Sequence, residues 1–129
     1  MIYLDTSALL KLVLAEEHSD VLRAFLREHD DLTVSSVLLT VETRRAVTRA
    51  APAQLPRADL ALTRVGQIGL SHAIIESASR LPDPAVRSLD AIHLATAQLL
   101  GEEVSAFVTY DKRLLGAAKS HRLPAVAPA

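Results

Sequence analysis

Four acidic residues, Asp5, Glu42, Asp90 and Asp111, stand where carboxylates can do chemistry. Asp5 closes the apolar run Met1-Ile-Tyr-Leu4, and Asp111 comes one residue beyond Ala106-Phe-Val-Thr109. Asp90 falls in the first turn of the strongest helical stretch, and Glu42 lies inside a helix soon after Leu32-Thr-Val34. In an open parallel sheet, ligands bind beyond the carboxyl ends of the strands. The four acids are therefore expected to meet at one edge of such a sheet. Each has a plainer explanation when taken alone. Asp5 and Asp111 are good helix N-caps, and Asp90 suits a helix dipole. Glu42 has Arg45 three residues on, a pair worth about 0.2–0.5 kcal/mol. The face of that helix carrying Leu38 and Leu39 is apolar, which sets Glu42 at a core boundary.

Together the acids say more. Four carboxylates in one pit repel and raise one another's pKa. A hard divalent cation relieves that repulsion, and the chain has no cysteine and no clustered histidine to favour zinc. Mg²⁺, or Mn²⁺, is the ion such a site takes. Its natural chemistry is phosphodiester hydrolysis, with a water activated and a leaving oxygen stabilised. His93, three residues after Asp90 and flanked by Ile92 and Leu94, reads as a core histidine with its ring satisfied; the alternative is a residue that positions a substrate or a water. His18, His29, His72 and His121 show no metal-ligand spacing. Asp83, between two prolines, is explained by turn chemistry.

The elements that would position these acids can be read from period and punctuation. Met1–Leu4 reads as a strand that runs into Asp5-Thr6-Ser7, three cap-forming residues, and then a helix over Ala8–Leu14. A second helix spans His18–Glu28, with Val21, Leu22, Phe25 and Leu26 at helical spacing. Leu32–Val34 is a short strand, with Ser35-Ser36 capping a helix over Val37–Arg49. Two prolines mark 51–56 as a loop, and Asp59 predicts the cap of a helix through Val65. Residues 67–70 alternate weakly as a strand, and Ser71–Arg80 reads as helix, ended by Leu81-Pro-Asp-Pro84. Ser88–Leu100 is the best helix, followed by a strand at Ala106–Thr109, a helix at Asp111–Ser120 and an edge strand at Ala125–Val126. This alternation predicts an α/β fold of three layers, α/β/α, around a central parallel sheet.

The length of 129 residues fits a single domain, expected to span 1–129. Half of the residues are hydrophobic and 22% are charged, which excludes a disordered chain. With only 3% aromatic residues, there is little material for a base-stacking platform. The absence of cysteine excludes disulfide scaffolds, thiolate zinc sites and cysteine nucleophiles. No run approaches the roughly 18 apolar residues that a membrane helix needs. Asp5 and Lys11 disfavour a signal peptide, so a cytoplasmic protein with no membrane partner is expected. The net charge of -1 becomes +3 once the four acids are set aside. The basic residues are mostly arginine, Arg44, Arg45 and Arg49 on one helix and Arg87 and Arg113 near two of the acids, a type suited to forked phosphate contacts.

Four segments carry a family resemblance. Leu4-Asp5-Thr6-Ser7-Ala8-Leu9, Glu42 at the end of Ser36-Val-Leu-Leu-Thr-Val-Glu42, Leu89-Asp90-Ala-Ile-His-Leu-Ala-Thr-Ala97 and Val108-Thr109-Tyr-Asp111-Lys-Arg resemble the acidic motifs of PIN-domain ribonucleases. In size and motif style the chain is most similar to the VapC-type toxins of toxin–antitoxin modules. The resemblance implies Mg²⁺-dependent cleavage of RNA, control by a cognate antitoxin protein, and homodimers. It implies Asp5 and Asp90 as principal metal ligands, Glu42 and Asp111 as completing the acidic site, and Thr6 and Thr109 as lending hydroxyls to the metal or its waters. An antitoxin would present a basic or amphipathic segment near the acids and pack on the early helices, around Leu9–Leu14 and Val21–Phe25.

Other readings use the same acids differently. An aspartyl-phosphate phosphatase wants a second Asp two residues after the first, where this chain has Ser7. A receiver-like signalling domain would carry its acceptor after a middle strand. A non-catalytic PIN-like RNA-binding module has no need of four acids.

Overall fold

A computed structural model describes residues 1–129. Five strands, β1 (Ile2–Leu4), β2 (Thr33–Ser36), β3 (Gly66–Ile68), β4 (Ala106–Val108) and β5 (Ala125–Val126), form one sheet in the order β3-β2-β1-β4-β5. Every neighbouring pair is parallel. Seven helices connect and cover them: α1 (Thr6–Val13), α2 (Ser19–His29), α3 (Leu38–Ala50), α4 (Leu55–Thr63), α5 (His72–Ser79), α6 (Ser88–Leu100) and α7 (Lys112–Ser120). None is long and apolar enough to cross a membrane.

The central strand shows why the sheet must be covered on both sides. Successive side chains of a strand point to opposite faces. Ile2 and Leu4 enter one core with Ala8 and Leu9 of α1, Leu22 of α2, Leu39 of α3 and Leu62 of α4. Tyr3 enters the other, with Leu94 and Ala97 of α6 and Leu114 and Ala118 of α7. All three strand residues are fully buried, so β1 reads as continuously apolar, as a strand buried on two faces does. Its register with β4 puts Tyr3 beside Phe107, and the two rings stack with centroids 5.0 Å apart. Each core is thus one helix layer against one sheet face, and the expected three-layer architecture is the one observed.

The elements differ from the sequence reading in four places. Helix α1 starts at Thr6, directly after its cap Asp5, and not at Ala8. Strand β2 continues through Ser35 and Ser36, both buried; Ser36 still serves the next helix, its Oγ accepting from the Leu38 amide at 3.2 Å. Residues 51–56 are largely helical. A 3₁₀ turn spans Pro52–Gln54, and Pro56 sits in the first turn of α4, where its missing N–H needs no partner. Asp59 therefore caps nothing; it lies mid-helix and pairs with Arg44 of α3 at 2.9 Å. The weak alternation near 67–70 becomes β3, shifted to Gly66–Ile68 at the sheet edge.

Candidate active site

The parallel sheet carries the ends of β1 and β4 to the same edge, side by side, and each ends in a loop that opens a helix. Asp5 and Asp111 are the N-caps of those helices. Asp5 accepts the Ala8 amide on Oδ1 at 2.9 Å, and Asp111 accepts the Arg113 and Leu114 amides on Oδ1 at 2.9 and 3.1 Å. The plainer reading of both residues is correct as far as it goes. It does not account for the burial of Asp5, which is 4% exposed, whereas Asp111 is exposed.

Asp5 is held from several sides. Its Oδ1 also accepts from Ser7 Oγ at 2.7 Å, and Oδ2 accepts from Thr109 Oγ1 at 2.6 Å. Thr109 Oγ1 in turn accepts the Asp111 amide at 3.1 Å, and Ser7 Oγ accepts the Tyr110 amide at 2.8 Å. These bonds stitch the loop after β4 to the start of α1. Burial pushes the Asp5 carboxyl above the ordinary value, against the lowering pull of the Thr109, Ser7 and Ala8 hydrogen bonds. A carboxylate accepts about four hydrogen bonds in all, so Oδ2 retains a lone pair.

Glu42 is half-buried on α3 and pairs with neither Arg45 nor any other arginine. Both of its hydrogen bonds converge on Oε1, from Thr6 Oγ1 at 2.9 Å and His93 Nε2 at 2.7 Å. Burial would raise its pKa; the hydrogen bonds from His93 and Thr6 outweigh burial and leave it below the ordinary value. Asp90, in the first turn of α6, has no hydrogen-bond partner on its carboxyl and is pushed up by burial, then by the charges of Asp111 and Glu42, against Arg87.

Thr109 links Asp5 to the Asp111 amide, and Thr6, the neighbour of Asp5, binds Glu42; Asp90 is related to the others by charge alone. The four acids do not stand together as a ready-made ion site: no three acidic or histidine side chains are grouped that way. Thr6 and Thr109 spend their hydroxyls on the carboxylates of Glu42 and Asp5. The donor set is all oxygen and includes an unpartnered Asp90 under like-charge repulsion, which fits a hard divalent ion with water completing its shell.

Two features of the site escape the sequence reading, the role of Ser7 and the partner of His93. Ser7 is one of three cap-type residues in a row, and nothing in the sequence distinguishes it as the partner of Asp5. His93 reads as a satisfied core histidine, and it is one, 1% exposed with both ring nitrogens bonded. That one of those bonds goes to Glu42, 51 residues earlier, leaves no trace in local spacing. Basic clefts open on two sides of the acids. One carries Thr6, Glu42, Arg45 and Arg49, and the other Arg87, Asp90, Lys112 and Arg113.

An all-parallel α/β/α sheet with acids at the ends of its central strands defines a class of domains that gather carboxylates at a ligand-binding edge. The chain belongs to the PIN-domain family, whose family model matches residues 2–120. It is 44% identical over 131 aligned positions to ribonuclease VapC35 of Mycobacterium tuberculosis, with 99% of this chain and 97% of that one covered. It is 38% identical to ribonuclease VapC46 of the same organism, with 98% and 97% covered. Among solved structures it superposes on a toxin–antitoxin complex from Klebsiella pneumoniae with a TM-score of 0.77, at 22% identity, covering 100% of this chain and 98% of that one. It also superposes on M. tuberculosis VapC20, described as a sarcin–ricin loop cleaving toxin, with a TM-score of 0.73, at 18% identity and with 91% and 95% covered. Membership of the PIN family sets aside the phosphatase and receiver-like readings.

Proposed function

We propose that this chain is a Mg²⁺-dependent endoribonuclease, the toxin of a toxin–antitoxin module, with residues 1–129 acting as one PIN domain. The observation that supports the reading is the buried Asp5 carboxylate at the end of β1, tied through Thr109 to the loop that carries Asp111, with Asp90 left without a hydrogen-bond partner. The full-length similarity to proteins named ribonucleases supports the activity. Asp5 and Asp90 would hold the ion, with Glu42 Oε2 and Asp111 Oδ2 completing the acidic site. Bound there, Mg²⁺ (or Mn²⁺) would supply an activated water and stabilisation of the leaving oxygen.

The chain's own residues do the rest. Thr109 and Ser7 hold Asp5 in its buried seat, and Thr6 holds Glu42. Arg45 and Arg49 on one side, and Arg87, Lys112 and Arg113 on the other, offer contacts to the phosphates of an RNA strand laid across the acids. A cognate antitoxin would seat an amphipathic segment in the apolar groove of Leu4, Leu9, Leu12 and Leu26. The arginines beside that groove, Arg23, Arg27 and Arg64, favour acidic positions in the part lying there, while a basic end reaches the carboxylates. A homodimer would cover exposed apolar residues such as Val41, Leu60 and Leu99. The protein would work in the cytoplasm.

Incubation with total cellular RNA, with Mg²⁺ and with EDTA, tests this reading. Discrete new ends that appear only with the ion support it. RNA bound and left uncut under both conditions would favour a non-catalytic RNA-binding module.

A further inference from the structure

We propose that His93 is a positioning residue: with Thr6 it fixes Glu42 Oε1 to the protein and so keeps Oε2 for the acidic site. The inference rests on the ribonuclease reading for its consequence, although the contact itself is geometric. The imidazole is buried between two short contacts, Tyr3 Oη to Nδ1 at 2.7 Å and Nε2 to Glu42 Oε1 at 2.7 Å. A carboxylate only accepts, so Nε2 carries the hydrogen and Nδ1 is left to accept from the tyrosine hydroxyl. Burial holds the Tyr3 phenol in its protonated form, which makes it a standing donor. The Tyr3 ring meets the imidazole edge-on at 5.8 Å while stacking on Phe107, so the imidazole is confined by packing as well as by its bonds.

The chain Tyr3–His93–Glu42–Thr6 therefore joins β1, α6, α3 and α1, and Thr6 is the neighbour of Asp5. With Oε1 doubly bound and Oε2 without a protein partner, Glu42 has one orientation and one oxygen to give. Groups that orient a ligand in this way are worth about 10–100-fold in metal affinity or activity. A histidine that merely filled space would leave Glu42 free to turn.

Two amides separate these roles. The Nε2 of a glutamine falls where the imidazole Nε2 sits, and the Nδ2 of an asparagine falls where Nδ1 sits. His93→Gln should keep Mn²⁺ affinity, read by electron paramagnetic resonance on metal-free protein, within about threefold of the wild type. His93→Asn should weaken it roughly 10–100-fold and slow cleavage with it. Affinity for RNA in EDTA should not move in either variant. An asparagine variant with wild-type Mn²⁺ binding, or equal losses in both, would overturn the proposal. The imidazole ¹⁵N spectrum of the unsubstituted, metal-free protein needs no variant: a bare Nδ1 and a protonated Nε2 are expected, and the opposite tautomer would overturn it. A wild type that binds no Mn²⁺ would sink the metal reading alone, with the nitrogen spectrum still deciding the role of His93.

Discussion

On the proposed function, Asp5 would serve fold and chemistry at once while being disfavoured in the fold that uses it. Its native pKa is raised, so the native state holds the proton more tightly than the unfolded chain. The ionised carboxyl then weakens the metal-free fold. That penalty is absent below the ordinary aspartate range near 3.9 and grows until the native pKa is passed. Glu42, with its lowered pKa, works in the other direction: it contributes stability above the ordinary glutamate value and loses it as pH falls. Asn is as good an N-cap as Asp. Metal-free Asp5→Asn should therefore melt above the wild type at pH 7, by a margin that shrinks on acidification, while cleavage falls by about 100-fold or more. Calorimetry across pH and a cleavage assay read the two halves separately. A variant that cuts RNA at the wild-type rate would remove Asp5 from the mechanism.

At the level of elements, two glycines give opposite expectations. Gly101 closes α6 at φ 60°, ψ -131°, a conformation that side chains rarely adopt, with open space around the missing Cβ. Gly101→Ala should cost about 1–3 kcal/mol from backbone strain alone. Gly116 lies inside α7, also in open space. Gly116→Ala should stabilise by about 0.5–1 kcal/mol. Denaturant titration checks both, and similar shifts of the same sign would refute the conformational argument. The sequence makes legible those elements whose signals are local: α6, with its run of apolar and small residues, and β1, apolar up to Asp5. The start of α4 is not legible because a proline that ends one helix reads like a proline that begins another; only the packing of Ala58 and Leu62 decides. The acids at strand ends are legible because a parallel sheet gives its carboxyl edge a meaning. The orientation of Glu42 is not, because it depends on Thr6 and His93, which the fold brings from 36 and 51 residues away.

For the whole molecule, the charge distribution matters more than its sum. A net charge of -1 hides an acidic centre between basic clefts. RNA affinity should therefore fall with salt although the protein is formally acidic. Replacing Arg113 or Arg45 with Ala should weaken binding and flatten the plot of log affinity against log salt by about 0.7 for each phosphate no longer neutralised. Filter binding in EDTA at several ionic strengths measures this, and an unchanged slope would place the RNA elsewhere on the surface.

The pairing of the first strand with the fourth has a temporal meaning for a protein made from its N-terminus onward. Tyr3 must wait for Phe107, and the bond from Thr109 to Asp5 joins residues 104 apart. Contacts of such separation form late, after the intervening chain has been ordered. A ribosome-bound fragment that ends before β4 has Asp5, Glu42 and Asp90 but lacks the loop that seats the first through Thr109 and carries Asp111. On the proposed function, competence to cut would arrive only with the residues from β4 onward. Until then a growing copy would be harmless to the RNA that surrounds it, including the message and the ribosome that are making it.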